Sequence, residues 1–188
     1  MARHGQTDWN RQMRFQGRAD PPLNEQGREQ ARQLAERLAG ERVDVVYSSP
    51  LLRARETAEI VAARLAVEVE LDEGFMEIDV GSWQGLTRAD LEKRSPDALR
   101  SWLNHGPGWE DGESYDELTA RIAAALKRIA RRRPDQTLLV ITHGGPIRAA
   151  QVFALGCTFE EARRDGPPVH NCGLFELRVG ERTFRRID

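Results

Sequence analysis

Two histidines, two arginines and one glutamate have the types and the surroundings of a phosphoryl-transfer site. His4 and His143 are each followed by glycine, and each comes just after a run with strand character. Arg3 and Arg53 supply planar guanidinium donors that suit phosphate oxygens, and a neutral imidazole is a competent nucleophile toward phosphorus. Glu77 adds a carboxylate that could move a proton. Together these residue types indicate phosphoryl chemistry.

Taken alone, each of these residues has an ordinary structural interpretation. A single His-Gly pair at the end of a strand is usually a turn, Arg53 could be a solvated arginine at a helix start, and Glu77 could be a surface carboxylate. Two His-Gly pairs favour function. We expect the glycines to let backbone N–H groups approach an anion, and a helix opening at Pro146 to aim its positive end at the same place.

Alternating strand and helix signals are what would bring these residues together. A capped helix is predicted over 24–40, a β-rich run over 43–47, a helix from Pro50 to Leu65 and a half-exposed strand over 67–71. Further helices are predicted over 86–94, 96–104, from the capping box Ser114–Glu117 to just before Pro134, over 146–155, and after a second capping box over 158–161.

Residues 137–142 form a continuous apolar run of strand length, which is typical of a central strand in a parallel sheet. Residues 172–179 and 183–187 are predicted to pair as a terminal hairpin across Gly180–Glu181. The fold class is therefore α/β: a three-layer α/β/α domain with a mostly parallel central sheet and a C-terminal hairpin. Ligands are expected at the carboxyl ends of the strands.

Length and composition exclude several classes of protein. The 188 residues are 39% hydrophobic and 31% charged, which predicts a single domain over 1–188. The net charge of −2 gives no field toward nucleic acid or an anionic membrane. No apolar run approaches the roughly 18 residues of a membrane span, and two cysteines fit a reducing compartment, so we expect a cytoplasmic protein.

Five sequence blocks, in order, resemble those of the histidine phosphatase superfamily, the group that includes cofactor-dependent phosphoglycerate mutases. The resemblance covers nearly the whole chain, although only Met1 and Ala2 precede the first block where the family has a longer apolar strand. We therefore expect that translation of the natural chain starts upstream of Met1. The blocks are RHGQTDWN at 3–10, RFQG at 14–17, SSPLLRARETA at 48–58, EIDVGSWQG at 77–85 and THGG at 142–145.

The resemblance implies a role for each candidate residue. His4 would take the phosphoryl group as a phosphohistidine, and Glu77 would protonate the leaving alkoxide and then deprotonate the attacking water. No metal and no other cofactor is implied. Arg3, Arg53 and His143 would hold the transferred oxygens, while Asn10, Gln16, Gly17 and the Gly144 backbone would line the site.

Within the superfamily, the acid block is similar to that of the phosphatase branch. The mutases carry a tyrosine three residues after the acid and a longer basic segment before the second histidine, whereas Glu77 is followed here by Ile-Asp-Val. Hydrolysis of a small phosphorylated metabolite is therefore favoured, with a phosphoglycerate mutase and a non-catalytic binder of phosphorylated ligands as alternatives. A homodimer is left open.

A tyrosine-phosphatase interpretation rests on Cys157 and Arg163, which satisfy the pattern C-x5-R. The five intervening residues include two carboxylates and no glycine, so such a loop would repel phosphate. We therefore reject this alternative.

Overall fold

A four-stranded parallel sheet forms the centre of the protein. The computed structural model describes residues 1–106, 108–180 and 184–186, the last three by their backbone. The strands are ordered β1-β4-β2-β3, so the apolar run at 138–142 is central, as predicted. Their bounds are β1 Ala2–Arg3, β2 Val45–Ser48, β3 Val69–Leu71 and β4 Leu138–Thr142.

Helices cover both faces of this sheet, which confirms the three-layer α/β architecture. Alternate strand residues point to opposite faces. Val46 and Ile141 accordingly pack in one buried cluster with α2 and α3, whereas Tyr47 and Val140 pack in another with α6 and α7. The helices are α1 Asp8–Arg11, α2 Glu25–Leu38, α3 Leu52–Leu65, α4 Arg88–Arg94, α5 Pro96–Leu103, α6 Tyr115–Arg132, α7 Gly144–Leu155 and α8 Phe159–Arg164.

Most helix positions agree with the prediction, and α7 is the one that bears on the site. The capping boxes at Ser114 and Thr158 are both present. The predicted start of α7 at Pro146 is wrong, because the helix begins at Gly144 with His143 as its N-cap. Proline is tolerated in the first turn, where its missing N–H has no partner within the helix. The earlier start turns the N–H groups of two glycines toward the site.

The terminal hairpin is present but shorter than predicted. Its strands are β5 Leu177–Val179 and β6 Phe184–Arg186, which pair antiparallel. The segment before β5 is irregular, since Cys172 has a positive φ of 54° that ends any regular strand. Residues 181–183, and residue 187 of the predicted second strand, lie outside the described residues. Among the helices of the described ranges, none is long and apolar enough to cross a membrane.

Candidate active site

His4 follows β1 at the carboxyl end of the sheet and is 1% exposed. Its backbone N–H donates to Thr142 O (2.9 Å), so parallel pairing with β4 places His143 beside it, with 5.1 Å between ring centroids. His4 Nδ1 lies 2.6 Å from Gly5 O, and Arg53 Nε donates to His4 Nε2 over 3.3 Å. Since a guanidinium can only donate, Nε2 carries the lone pair and Nδ1 the hydrogen. Nε2 is therefore the ring nitrogen that carries a lone pair.

The surroundings of His4 keep its ring neutral. Burial lowers the pKa of His4 well below its usual range, and the charges of Arg53 and Arg3 lower this pKa further. The hydrogen bond from Nδ1 to Gly5 O opposes these effects and fixes the tautomer. A neutral imidazole with its lone pair beside two guanidinium groups is well placed to attack an anion held by those groups.

Arg53 is completely buried at the start of α3, which excludes the solvated interpretation. It donates from NH1 to Ala19 O (2.7 Å) and from NH2 to Gly17 O (2.9 Å), besides its bond to His4. Burial lowers its pKa to about 10, against the attraction of Glu77, so the side chain stays charged at neutral pH. Position 17 requires glycine, because its φ is positive (50°) and a Cβ at this position would lie 2.6 Å from Val80 Cγ2.

Three buried side-chain atoms lack a hydrogen-bond partner within the described part of the chain. Tyr47 Oη lies on β2 within the core, and the other two, Arg3 Nε and His143 Nδ1, belong to the site. Arg3 donates from NH1 to Val169 O (2.9 Å), and His143 Nε2 lies 2.8 Å from Ser49 Oγ. Ser49 Oγ can donate its hydrogen to Nε2 while it accepts from Leu51 N, and in that tautomer the imidazole hydrogen is on Nδ1. Unsatisfied buried donors are rare, and an anion bound at the site would satisfy these two.

Burial also lowers the pKa of His143 well below its usual range, and the positive charge of Arg53 adds to the effect. The pKa of Arg3 is lowered by burial and raised by the charge of Glu77. His143 is therefore a neutral donor, whereas the positive charge of the site comes from the two arginines.

Glu77 lies half-buried in the loop after β3 and reaches the amino end of α7. Its Oε1 accepts from Ile78 N and Gly145 N (both 3.0 Å), and its Oε2 accepts from Gly144 N (3.2 Å). The helix dipole favours a carboxylate at this place. In this structure these glycine N–H groups hold the side chain of Glu77, which departs from the expectation that they face an anion. That the Gly144 backbone lines the site stays a prediction.

The first His-Gly pair also departs from the expectation. Gly5 N donates to Thr57 Oγ1 over 3.0 Å, and Gly5 packs directly against the backbone of Gly27. This glycine is required for close packing of two backbone segments rather than for contact with an anion.

The remaining predicted residues also lie in this network. Asn10 Oδ1 accepts from Thr7 N (3.1 Å), and Gln16 Oε1 accepts from Thr7 Oγ1 (3.1 Å). The amide oxygens of Asn10 and Gln16 are therefore occupied within the protein, and it is their NH₂ groups that can donate to a ligand. Gly17 contributes its carbonyl oxygen to Arg53, as described above.

Three further residues support the site without having been assigned a role from the sequence. Ser49 contacts His143, Thr57 donates to Arg53 O (2.7 Å), and Asn171 Nδ2 donates to His4 O (2.9 Å). The spacing of Thr57, one helical turn after Arg53, was a usable signal. Nothing in the sequence around Asn171 links it to residue 4, because that contact depends on the path of the chain after α8.

A parallel α/β sheet that ends in a buried imidazole pair, two arginines and a carboxylate defines the class of proteins that bind and transfer phosphoryl groups. The chain belongs to the histidine phosphatase superfamily (branch 1), whose family model matches residues 1–187. It is a hydrolase of that superfamily, and relatives of this chain are phosphatases.

Similar proteins include phosphoserine phosphatase 1 of Hydrogenobacter thermophilus, 35% identical over 158 residues, which covers 83% of this chain and 75% of that protein. A probable phosphoglycerate mutase of Photorhabdus laumondii is 35% identical over 198 residues, which covers 100% of this chain and 83% of that protein. A mycobacterial glucosyl-3-phosphoglycerate phosphatase, solved with VO3, is 30% identical with a TM-score of 0.85 and coverages of 97% and 92%.

Proposed function

We propose that this protein hydrolyses phosphomonoesters of small metabolites through a phosphohistidine at His4, with charge supplied by arginines rather than by a metal. The observation that carries the proposal is the pair of buried donors without a partner among the described residues, Arg3 Nε and His143 Nδ1, on the residues next to His4, whose Nε2 carries a lone pair that accepts from Arg53 Nε. Donors in these positions can bind the equatorial oxygens of a phosphoryl group while Nε2 attacks phosphorus.

In the first step, His4 Nε2 forms a bond to phosphorus as the bond from phosphorus to the alkoxide oxygen breaks. Glu77, protonated, gives its proton to that oxygen, and the alcohol leaves. The Nδ1 hydrogen stays on the ring and donates to Gly5 O, which stabilises the positive charge that the ring acquires.

In the second step, the Glu77 carboxylate takes a proton from water as the water oxygen attacks phosphorus. The bond between phosphorus and Nε2 breaks, inorganic phosphate leaves, and the neutral ring of His4 and the protonated Glu77 are restored. Arg53 Nε gives up its hydrogen bond to Nε2 when Nε2 attacks, and its guanidinium, which lies beside Nε2, can then donate to the transferred oxygens.

The names of the relatives suggest the first substrates to test: phosphoserine, which is named for the Hydrogenobacter protein, and glucosyl-3-phosphoglycerate, which is named for the mycobacterial one. Inorganic phosphate release from these esters, measured with excess chelator present, tests the hydrolysis and its independence from metals. Rapid quenching tests the intermediate, since a phosphoramidate is lost in acid and survives in base. An acid-stable adduct, or activity lost in chelator and restored by Mg²⁺ or Zn²⁺, would overturn the mechanism.

A phosphoglycerate mutase is the second candidate, because a relative with that name covers the full length of this chain. A mutase must keep water from the phosphohistidine while it holds a bisphosphate. Position 80, three residues after Glu77, is a buried valine here. Hydrolysis of 3-phosphoglycerate should therefore be faster than bisphosphoglycerate-stimulated interconversion, and the reverse order would establish the mutase. Binding of these esters with no release of phosphate would establish a non-catalytic binder.

A further inference from the structure

The loop that carries Glu77 lacks regular secondary structure between two 3₁₀ turns, Glu73–Phe75 and Gly81–Trp83. One arginine from another part of the fold binds its backbone. Arg121, on α6, donates from NH1 to Gly74 O (3.0 Å) and Met76 O (2.9 Å), and from NH2 to Glu77 O (3.5 Å). Three carbonyls just before and at the proposed acid therefore converge on a single guanidinium.

Glu113 completes this attachment from the turn before α6. Its carboxylate accepts from Arg121 through two bonds of 2.7 Å and is 10% exposed, so the pair is bidentate and largely removed from water. Glu113 Oε2 also accepts from Asp79 N (3.3 Å), and Glu113 N donates to Asp79 O (2.9 Å). The loop is thus held on both sides of Glu77, by Arg121 before it and by Glu113 after it.

The same carboxylate reaches the segment that supports Arg53. Arg18, next to Gly17, places its guanidinium 3.7 Å from Glu113 and 3.7 Å from Asp79. The arginine side of the site and the loop of the acid are therefore linked through Glu113.

We propose that Arg121 and Glu113 are positioning residues for proton transfer, which rests on the proposed function in which Glu77 is the general acid. Neither residue touches the reacting atoms. Backbone N–H groups hold the Glu77 carboxylate, two at the start of α7 and one at Ile78 in the loop itself, so its distance to the leaving oxygen depends on where the loop backbone lies. Proton transfer requires hydrogen-bond reach, and a displacement of about 1 Å can cost about 10²-fold in rate.

Arg128 offers a matched control on the same helix, two turns beyond Arg121. It also binds a carboxylate through two short bonds, to Asp72 Oδ1 (2.6 Å) and Oδ2 (2.7 Å). Asp72 caps the Glu73–Phe75 turn, so Arg128 is attached to the start of the same loop, outside the segment 76–79. Removal of the Arg128 side chain tests the general effect of losing one ion pair between α6 and this loop.

The test combines Arg121→Met, Arg121→Lys and Arg128→Met with Glu77→Gln. For each variant, kcat and KM are measured on an alkyl phosphomonoester, which needs a proton donor, and on p-nitrophenyl phosphate, whose leaving group needs little protonation. Arg121→Met should lower kcat by about 10- to 100-fold on the alkyl ester and by only about threefold on the activated ester, with KM little changed. Arg121→Lys should recover part of the loss, and Arg128→Met should stay near wild type on both esters.

The decisive measurement is the double variant. If Arg121 acts through Glu77, adding Arg121→Met to Glu77→Gln should leave the ratio of kcat on the alkyl ester to kcat on p-nitrophenyl phosphate unchanged. Equal losses on both esters, or the same selective loss in the Glu77→Gln background, would overturn the positioning role. If Arg121→Met does not fold, Arg121→Lys and Glu113→Gln decide the question by the same criterion.

Failure of this inference is distinguishable from failure of the proposed function. If Glu77→Gln itself lowers both esters equally, Glu77 is not the general acid and the proposed function is wrong at that residue. If Glu77→Gln discriminates between the esters and the Arg121 variants do not, only the positioning role is overturned.

Discussion

The two halves of the candidate site are held in different ways. The nucleophile side lies within the fold: His4, Arg53 and His143 are each at most 1% exposed and sit directly at strand ends or a helix start. The acid side is a half-buried loop whose glutamate is fixed by N–H groups of α7 and whose backbone is held by α6. The proposed nucleophile is thus placed by sheet pairing, whereas the proposed acid depends on side chains remote in sequence.

Removal of the nucleophile should have the largest effect on activity. His4→Ala should lower phosphate release from any good ester by about 10³-fold or more, because the covalent step disappears. The measurement is kcat on the best ester found, together with rapid-quench trapping. His105→Asn is the matched control, since residue 105 has a positive φ of 69° that asparagine tolerates and lies outside the site. Retention of more than about a tenth of the activity by His4→Ala would remove His4 from this role.

Arg53→Lys should be the next most costly change, by about 10²-fold in kcat/KM on every ester, because an ammonium cannot reproduce the guanidinium fork. The variant also loses donors to Gly17 O and Ala19 O, which lie in the segment beside the site. The control is Arg55→Lys. Arg55 lies on the same helix, and its Nε forms an ion pair with Glu59 (3.5 Å) on the protein surface. Near-wild-type kinetics for Arg53→Lys would show that the guanidinium fork of Arg53 is not required for the reaction.

Glu77→Gln should produce a smaller and selective loss, because glutamine keeps the shape and removes the proton. We expect about 10²-fold on an alkyl ester and less than about 10-fold on p-nitrophenyl phosphate. A burst of alcohol followed by slow turnover should appear with the activated ester, since the same carboxylate is proposed to activate water. The exposed Glu73→Gln provides a control in the same loop. Equal losses on both esters without a burst would limit Glu77 to organising the loop.

Acid should destabilise the nucleophile side through its buried histidines. The pKa of His4 and that of His143 are lowered in the folded protein, so below about pH 6.5 the unfolded chain binds more protons and stability falls as the pH falls. Each ring should cost about 1.4 kcal/mol per pH unit below that value. Denaturant unfolding at pH 7 and pH 5.5 measures the effect. The double variant His4→Gln/His143→Gln should lose this part of the pH dependence, and an unchanged slope would contradict the assignment.

Much of the fold was predictable from local pattern. The apolar run at 138–142 required a buried central strand, and the capping boxes at Ser114 and Thr158 marked helix starts that the structure confirms. The start of α7 was not predictable from Pro146, because first-turn proline is compatible with several starting residues. The late start of β5, at Leu177 rather than at residue 172, follows a positive φ at Cys172 that no neighbouring residue signals.

The candidate site, like the fold, was predictable from the sequence only in part. Residue type and position after a strand were enough to select His4, His143, Arg53 and Glu77, because the carboxyl ends of parallel strands meet at one edge of the sheet. What the N–H groups of Gly5 and Gly144 bind within the protein was not predictable, since the sequence contains no distances between segments. Thr57 and Glu77 occupy those donors in the folded protein.

The sequence by itself therefore determined the chemistry available and the edge of the sheet at which it collects, since both follow from residue types and strand order. Only the tertiary structure decided the tautomer of His4, through Gly5 O and Arg53 Nε, and the attachment of the acid loop through Arg121 and Glu113. The physical reason is that hydrogen bonds act over about 3 Å. Their partners here come from segments far apart in the chain, and such distances exist only once the chain has folded.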